Sequence, residues 1–169
     1  MNTRHTVVDT SLGPITVVAT REAITGLYFR SHVRRPAQDT FGPEVLAPTD
    51  ALLNRAAEQL TAYLAGDRAE FDLPLSLEGD TFQRAVWDCV ASIPHGETTT
   101  YGRIAEQLGD RSLAYRVGQA VGANPLCIIV PCHRVVGAKG ALTGYAGGLR
   151  RKQTLLELES AEVSAARLF

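Results

Sequence analysis

The spacing of apolar residues differs between the two halves of this chain, and that difference limits the folds open to it. In the first 30 residues the apolar residues come in short runs that fit strands, at 6–9, 14–20 and 23–29, with Ser11-Leu12-Gly13 as a turn between the first two. From residue 80 onward they recur at i, i+3, i+4 and i+7, the period of an amphipathic helix. Between these regimes lies 70–78, partly alternating and interrupted by Pro74, which reads as an extended linker. The pattern predicts an α+β chain in two parts. Residues 1–75 form a small antiparallel sheet-plus-helix domain, and residues 80–169 form a mostly helical one.

The helices can be placed from their caps. Residues 50–64 form a helix with Leu53, Ala57, Leu60 and Leu64 on one face and Gly66 as its stop. The preceding stretch, 31–48, carries Pro36, Pro43 and Pro48 and reads as a loop. Asp80 with Gln83 three residues later forms a capping box for a helix to about Ser92 that buries Phe82, Val86 and Val90. Thr99 or Thr100 caps the next helix, whose apolar face is Tyr101, Ile104, Ala105 and Leu108 before Gly109 breaks it. Ser112 caps another helix reaching roughly Ala123, with Leu113, Val117, Ala120 and Val121 inward. Helix, short turn and helix make a helix-turn-helix outline. A last helix runs over about 149–159.

Composition excludes several classes. With 45% hydrophobic and 21% charged residues over 169, the chain is that of a globular protein. No apolar run reaches membrane-spanning length, and residues 1–6 lack a signal-peptide segment. Three cysteines, an odd number, argue against a disulfide framework and fit a reducing compartment, so a cytoplasmic location is expected. The net charge of −1 is unevenly spread: residues 101–152 hold 8 basic and 2 acidic residues. A basic face of this kind suits a polyanion as well as plain solvation.

Chemistry concentrates inside that basic window. Cys127-Ile128-Ile129-Val130 reads as a short buried strand that Pro131 must end. Cys132 and His133 follow at once. A cysteine opening a helical turn lies at the positive end of the helix dipole, which favours the thiolate, and a nearby imidazole can take its proton. The helix over 112–123 has a face, Tyr115, Gly118, Gln119 and Gly122, nearly bare of bulk. Two interior glycines cost about 1 kcal/mol each relative to alanine, so either another helix or a DNA backbone comes close there. Residues 140–148 form a glycine-rich loop around Tyr145 that lacks the Gly-Lys-Ser/Thr ending of a phosphate-binding loop. Glu159 lies on or beside the inward face of the last helix and needs a partner, for which His133 is the candidate.

The stretch Pro131-Cys132-His133-Arg134-Val135-Val136-Gly137 closely resembles the active-site signature of the O6-alkylguanine-DNA alkyltransferases, and the resemblance runs from about residue 80 to 159. It implies stoichiometric, irreversible transfer of an alkyl group from O6 of guanine in DNA to the protein. O4 of thymine is left open as a further substrate. It implies Cys132 as acceptor, His133 as the base acting through a water, Glu159 as the orienting carboxylate and Asn124 as the hinge asparagine. Tyr101 matches the tyrosine that acts on the target phosphate and the flipped base. Cys132 and Val135 match positions whose carbonyls read the guanine amino group, and Tyr145 the aromatic of the active-site loop. Base flipping follows, because O6 of a stacked guanine is out of reach of a buried sulfur. The implied N-terminal domain is ribonuclease H-like, and the implied C-terminal domain carries a winged-helix-like helix-turn-helix. No cofactor and no metal are expected. The expected partner is double-stranded DNA containing O6-alkylguanine, met by a monomer; cooperative binding is left open.

Two positions depart from the family pattern. Its intercalating arginine corresponds to Tyr115 here, with Arg116 one residue later, and one position turns a helical side chain by about 100°. Either Tyr115 fills the gap left by the flipped base or the helix start is shifted, so both residues are DNA-contact candidates, with Gly118 and Gln119. Ala146 replaces a serine found in some members and can offer only its backbone N–H to guanine O6. Two rival functions remain. A non-catalytic sensor of alkylated DNA would lack the acceptor cysteine, whereas this chain has Cys132. A thiol hydrolase would turn over and need an oxyanion hole.

Overall fold

The computed structural model describes residues 2–167, with side chains as far as residue 160. The chain divides into two compact units between Glu78 and Gly79.

The first unit is built on an antiparallel sheet in the order β1 (Arg4–Thr10), β2 (Gly13–Ala19), β3 (Ile24–Phe29). The β1–β2 register runs from Arg4 opposite Ala19 to Thr10 opposite Gly13. The connection is closed by the Thr10 hydroxyl, which donates to the Gly13 carbonyl at 2.7 Å and accepts from the Leu12 N–H at 3.0 Å. Helix α1 (Ala51–Leu64) covers one face of the sheet. Its inward residues are Leu53, Ala56, Leu60 and Tyr63. The stripe expected from sequence is thus half right: Ala57 and Leu64 are only half-buried, and the aromatic ring of Tyr63 takes the inward place.

Two stretches read as connectors belong to the sheet's surroundings. Residues 31–48 carry two 3-10 turns, Gln38–Phe41 and Ala47–Thr49, rather than a plain loop. Phe41 is buried and stacks on Tyr28 with ring centroids 5.4 Å apart, beside Val18. The same segment bridges the β1 edge, the His5 N–H donating to Pro43 O (3.0 Å) and the Val45 N–H to His5 O (2.8 Å). Leu75 bridges Ile24 on the other edge, through Ile24 N–H to Pro74 O (2.8 Å) and Ser76 N–H to Ile24 O (3.0 Å). Both sheet edges are therefore partly covered, which removes free strand templates.

The second unit contains α2 (Thr81–Ala91), β4 (Thr99–Thr100), α3 (Tyr101–Gln107), α4 (Ala114–Gly122), β5 (Val135–Val136) and α5 (Leu149–Arg167). The Asp80–Gln83 capping box is complete. Inside α2, Val86, Trp87 and Val90 are buried while Phe82 is only half-buried, because the large Trp87 ring takes the core. Its Nε1–H donates to Ala120 O of α4 at 2.8 Å. Thr100, not Thr99, caps α3. Ser112 does not cap α4: a 3-10 turn, Arg111–Leu113, intervenes, and Asp110 caps it by accepting from the Ser112 N–H. Helix α4 therefore starts from Leu113 and has no side-chain cap of its own. Helices α3 and α4 with this turn form the helix-turn-helix. Helix α5 continues past Glu159 to Arg167, beyond the expected end.

Asp50 does two jobs in the first unit. Its side chain accepts from the Leu53 N–H as the α1 cap, and it pairs with Arg4 of β1. The Arg4 hydrogen bond holds its pKa below the usual carboxylate value, with the Leu53 N–H also lowering it and partial burial opposing. A folded pKa below the unfolded one contributes stability above about pH 3.9 that is lost as pH falls through the folded value. Asp50→Ala is expected to cost about 1–2 kcal/mol at pH 7. Urea unfolding of both proteins at pH 7 and again below pH 3 checks this, and the difference should shrink at the lower pH.

Candidate active site

The second unit places its chemistry where a tight turn meets α5. Cys127–Val130 is not a strand. The chain turns there, with Val130 N–H donating to Leu126 O (2.9 Å) and Ile129 N–H to Cys127 O (2.9 Å). Asn124 explains why the apolar run does not extend. Its amide donates to Val130 O at 2.9 Å and accepts from the Leu126 N–H at 2.9 Å, clamping both ends of the turn. The turn forces buried Ile128 to φ 73°, a conformation that disfavours a β-branched residue. Cys132 then opens a 3-10 turn, Cys132–Arg134, closed by Arg134 N–H to Pro131 O at 2.9 Å.

Cys132 is 3% exposed, and its sulfur lies 3.8 Å from that of Cys127, which is fully enclosed. The pair shares its protons unequally. A hydrogen bond from Cys127 holds the Cys132 pKa below the usual thiol value against the opposing effect of burial, and Asn124, the charge of Lys152 and the Cys132 N–H add to it. Cys127 is pushed well up, by that same hydrogen bond, by burial and by the neighbouring charge. Cys132 is therefore the more readily ionised of the two thiols, and Cys127 the one that holds its proton.

His133 follows Cys132 and is fully buried. Its Nε2 lies 2.9 Å from Glu159 Oε2. Burial lowers the His133 pKa, the Glu159 hydrogen bond and charge opposing this and the charges of Arg134 and Lys152 adding to it. A neutral ring whose Nε2–H donates to a carboxylate keeps its lone pair on Nδ1, the form a base requires. Glu159 also receives Arg134 in a two-point pair, Nε to Oε1 at 2.8 Å and Nη2 to Oε2 at 2.8 Å, while Nη1 donates to Ile93 O at 2.7 Å.

Lys152 completes the site. It is fully buried and its ammonium donates to the carbonyls of Val135 (2.6 Å), Thr143 (2.5 Å) and Gly144 (3.0 Å). Burial lowers its pKa to about 8, with the Cys132 charge opposing, so it remains mostly protonated at pH 7. The Val135 carbonyl already accepts from Lys152, and the Cys132 carbonyl from the Val135 N–H. Each keeps a second lone pair for an incoming donor.

Tyr101 is brought beside this cluster by backbone pairing. Thr99 and Thr100 pair in parallel with Val135 and Val136, which follow the Cys132 turn directly. The Tyr101 hydroxyl donates to Thr143 O of the glycine-rich loop at 3.3 Å, and burial raises its pKa, keeping it protonated. Gly118 faces the Tyr101 ring, where a Cβ would stand 3.8 Å away. Tyr145 is half-buried in the loop, and Ala146 is buried next to it. On the outer side of α4, Tyr115 is 77% exposed, and its hydroxyl accepts from Gln119 at 3.3 Å. The Arg116 guanidinium instead lies over the Phe82 ring of α2, 4.2 Å from its centroid. That contact uses the ring face and holds Arg116 against the protein.

Three members of this cluster were missed from sequence. Arg134 lay inside the motif without an assigned role, and Cys127 was read as a structural residue of a buried strand. Lys152 carried a signal: 152, 155 and 159 share one face of α5, so a lysine stands among inward positions. Among the described residues no group of three or more His, Cys, Asp or Glu side chains could hold a metal ion, and no helix is long and apolar enough to cross a membrane.

Glu159→Gln leaves Arg134 buried with its charge uncompensated, and is expected to lower the unfolding free energy by about 3–5 kcal/mol at pH 7. Urea unfolding measures the loss. In the parent protein, nitrogen chemical shifts of the His133 ring at pH 6.5 should report a neutral imidazole protonated on Nε2. A cationic ring would contradict the arrangement described.

The comparisons with known proteins agree over both units. A family model described as "6-O-methylguanine DNA methyltransferase, DNA binding domain" matches residues 81–161, and one described as "6-O-methylguanine DNA methyltransferase, ribonuclease-like domain" matches residues 3–77. The chain is 44% identical over 158 residues to a methylated-DNA–protein-cysteine methyltransferase of Mycobacterium bovis, covering 94% of this chain and 93% of that one. It is 47% identical over 154 residues to that of Mycolicibacterium paratuberculosis, covering 90% and 89%. The crystal structure of Mycobacterium tuberculosis O6-methylguanine methyltransferase superposes with a TM-score of 0.85 at 42% identity, covering 95% of this chain and 94% of that one. The Mycobacterium tuberculosis OGT crystallised in complex with DNA gives 0.82 at 41%, covering 94% of each. With both halves matched in order, and with the expected α+β architecture present, this chain belongs to the O6-methylguanine-DNA methyltransferase family.

Proposed function

We propose that this protein repairs DNA by direct reversal, moving the alkyl group of O6-alkylguanine onto Cys132 once per molecule. The observation that carries the reading is the buried Cys132 thiol, its pKa held below the usual thiol value, beside a neutral His133 oriented by Glu159. His133 takes the Cys132 proton. The thiolate sulfur attacks the alkyl carbon, the carbon–O6 bond breaks, and guanine leaves with the electron pair and regains a proton. A thioether is a poor leaving group, so the product stays on the protein. The half-buried, protonated Tyr101 is placed to donate to the departing base, and the free lone pairs of the Cys132 and Val135 carbonyls to accept its amino group.

Residues 80–169 carry DNA binding and chemistry in this reading, and residues 1–75 form the ribonuclease-like part. The protein acts as a monomer on double-stranded DNA in the cytoplasm. Its relative crystallised in complex with DNA supports the partner. The α4 face supplies the contact through Gly118, Gln119 and Tyr115. The exposure of Tyr115, against the packing of Arg116 on Phe82, favours Tyr115 as the side chain that fills the gap left by the flipped base. Arg116 then serves as a phosphate neighbour. The Ala146 N–H is assigned to guanine O6 and Tyr145 to the wall of the base site. Asn124 keeps the turn that presents Cys132.

Mixing the protein with a duplex carrying one O6-methylguanine should add one methyl, mapped to Cys132 and saturating at one per molecule. Cys132→Ser should abolish the gain while the duplex is still bound. Tight binding without a mass change in the parent protein would favour a sensor. Tyr115→Ala should slow reaction with duplex DNA roughly tenfold more than reaction with the free base, because only the duplex requires flipping. Equal losses would remove Tyr115 from that role.

A further inference from the structure

We propose that Cys132 and Cys127 form a reversible disulfide within one molecule when the protein meets a hydroperoxide, Cys132 being the attacking and Cys127 the resolving thiol. The two sulfurs lie 3.8 Å apart with both side chains buried, and the turn that places them is fixed at both ends by Asn124. Closing to a disulfide needs the sulfurs to approach by about 1.8 Å, to a bond of about 2.05 Å. The segment between them already doubles back, with Ile129 N–H bonded to Cys127 O and Cys132 N–H to Val130 O at 2.8 Å. The third cysteine, Cys89, sits in α2, half-buried, and has no part in the turn.

The division of roles follows from the protons. The thiolate is the species that attacks peroxide, and a neighbouring thiol is what converts the first oxidation product into a disulfide before further oxygen adds. In the first step the Cys132 thiolate attacks one peroxide oxygen, the O–O bond breaks, hydroxide leaves and the sulfur becomes a sulfenic acid. In the second the Cys127 sulfur attacks that sulfur, the S–O bond breaks and water leaves with the Cys127 proton. The cysteines lose two electrons and the peroxide gains them. A dithiol reductant reverses the bond. Cys127 so protects an acceptor that can be used only once from irreversible loss to oxidants. The consequence for alkyl acceptance rests on the function proposed above; the bond itself does not.

The test uses the reduced full chain, exposed to excess hydrogen peroxide and then tagged with N-ethylmaleimide. Trypsin leaves residues 117–134, with both cysteines, in one peptide. The expected result is that peptide two hydrogens lighter and untagged, with Cys89 tagged, and with the tags and methyl acceptance returning after dithiothreitol. In Cys127→Ser, peroxide should place oxygens on Cys132, and dithiothreitol should restore roughly tenfold less acceptance than in the parent. Protein methylated beforehand should form no link. Tagging of both cysteines after peroxide, oxygens on Cys132 of the parent, or a link between two molecules on a non-reducing gel would each overturn the proposal. The peptide map of the parent decides the matter even if Cys127→Ser folds poorly. A protein that forms the link yet accepts no methyl would sink the proposed function and leave this inference standing.

Discussion

His133, Arg134 and Glu159 are all withdrawn from water, and only a fully paired arrangement lets charge persist there. Arg134 neutralises Glu159 through two hydrogen bonds, and this leaves His133 free to stay uncharged while using the same carboxylate for orientation. One ion thus serves two purposes. It holds α5 against the Cys132 turn, and it fixes the tautomer of the base beside the nucleophile. Arg134 reaches further, to the Ile93 carbonyl beyond the end of α2, so the start of the unit is tied to its last helix through the site itself.

Lys152 makes a second tie of the same kind. A buried ammonium costs desolvation energy, and its pKa near 8 records that cost. Three carbonyls and a nearby thiolate offset it. Two of those carbonyls, Thr143 and Gly144, belong to the glycine-rich loop, and the Tyr101 hydroxyl also donates to Thr143. The loop is therefore positioned by the same cation that favours the Cys132 anion. Charge stabilisation and the shape of the base site cannot be tuned separately here, because one side chain provides both.

Much of this was legible in the residues. Asp50, Asp80 with Gln83, and Thr100 announce helix starts through local hydrogen bonds, and local interactions are what a sequence displays directly. The Pro-Cys-His-Arg stretch stood out through its adjacent cysteine and histidine and its resemblance to the alkyltransferase signature, and Glu159 because an inward carboxylate needs a partner. The failures share a cause: each was settled by a contact distant in sequence or by competition between neighbours. Cys127–Val130 has the composition of a strand, and the Asn124 amide bends it into a turn. Ser112 is drawn into a 3-10 turn capped by Asp110, and α4 starts after it from Leu113. Phe41 looked like part of a polar loop until Tyr28 gave it a stacking partner. Lys152 was hidden because lysine on a helix ordinarily faces solvent, and only the carbonyls of the loop make an inward lysine tolerable.

The clamp around Cys132 also has a bearing on how the protein comes to be made. A ribosome delivers the turn with Cys132 before it delivers α5, although both belong to one compact unit. Until Lys152 and Glu159 arrive, Cys132 has neither the cation that favours its thiolate nor the carboxylate that orients its histidine. Its sulfur then lacks two of the partners that the completed site gives it. The nascent chain so carries its single-use warhead unarmed, and the act of completing the fold arms it.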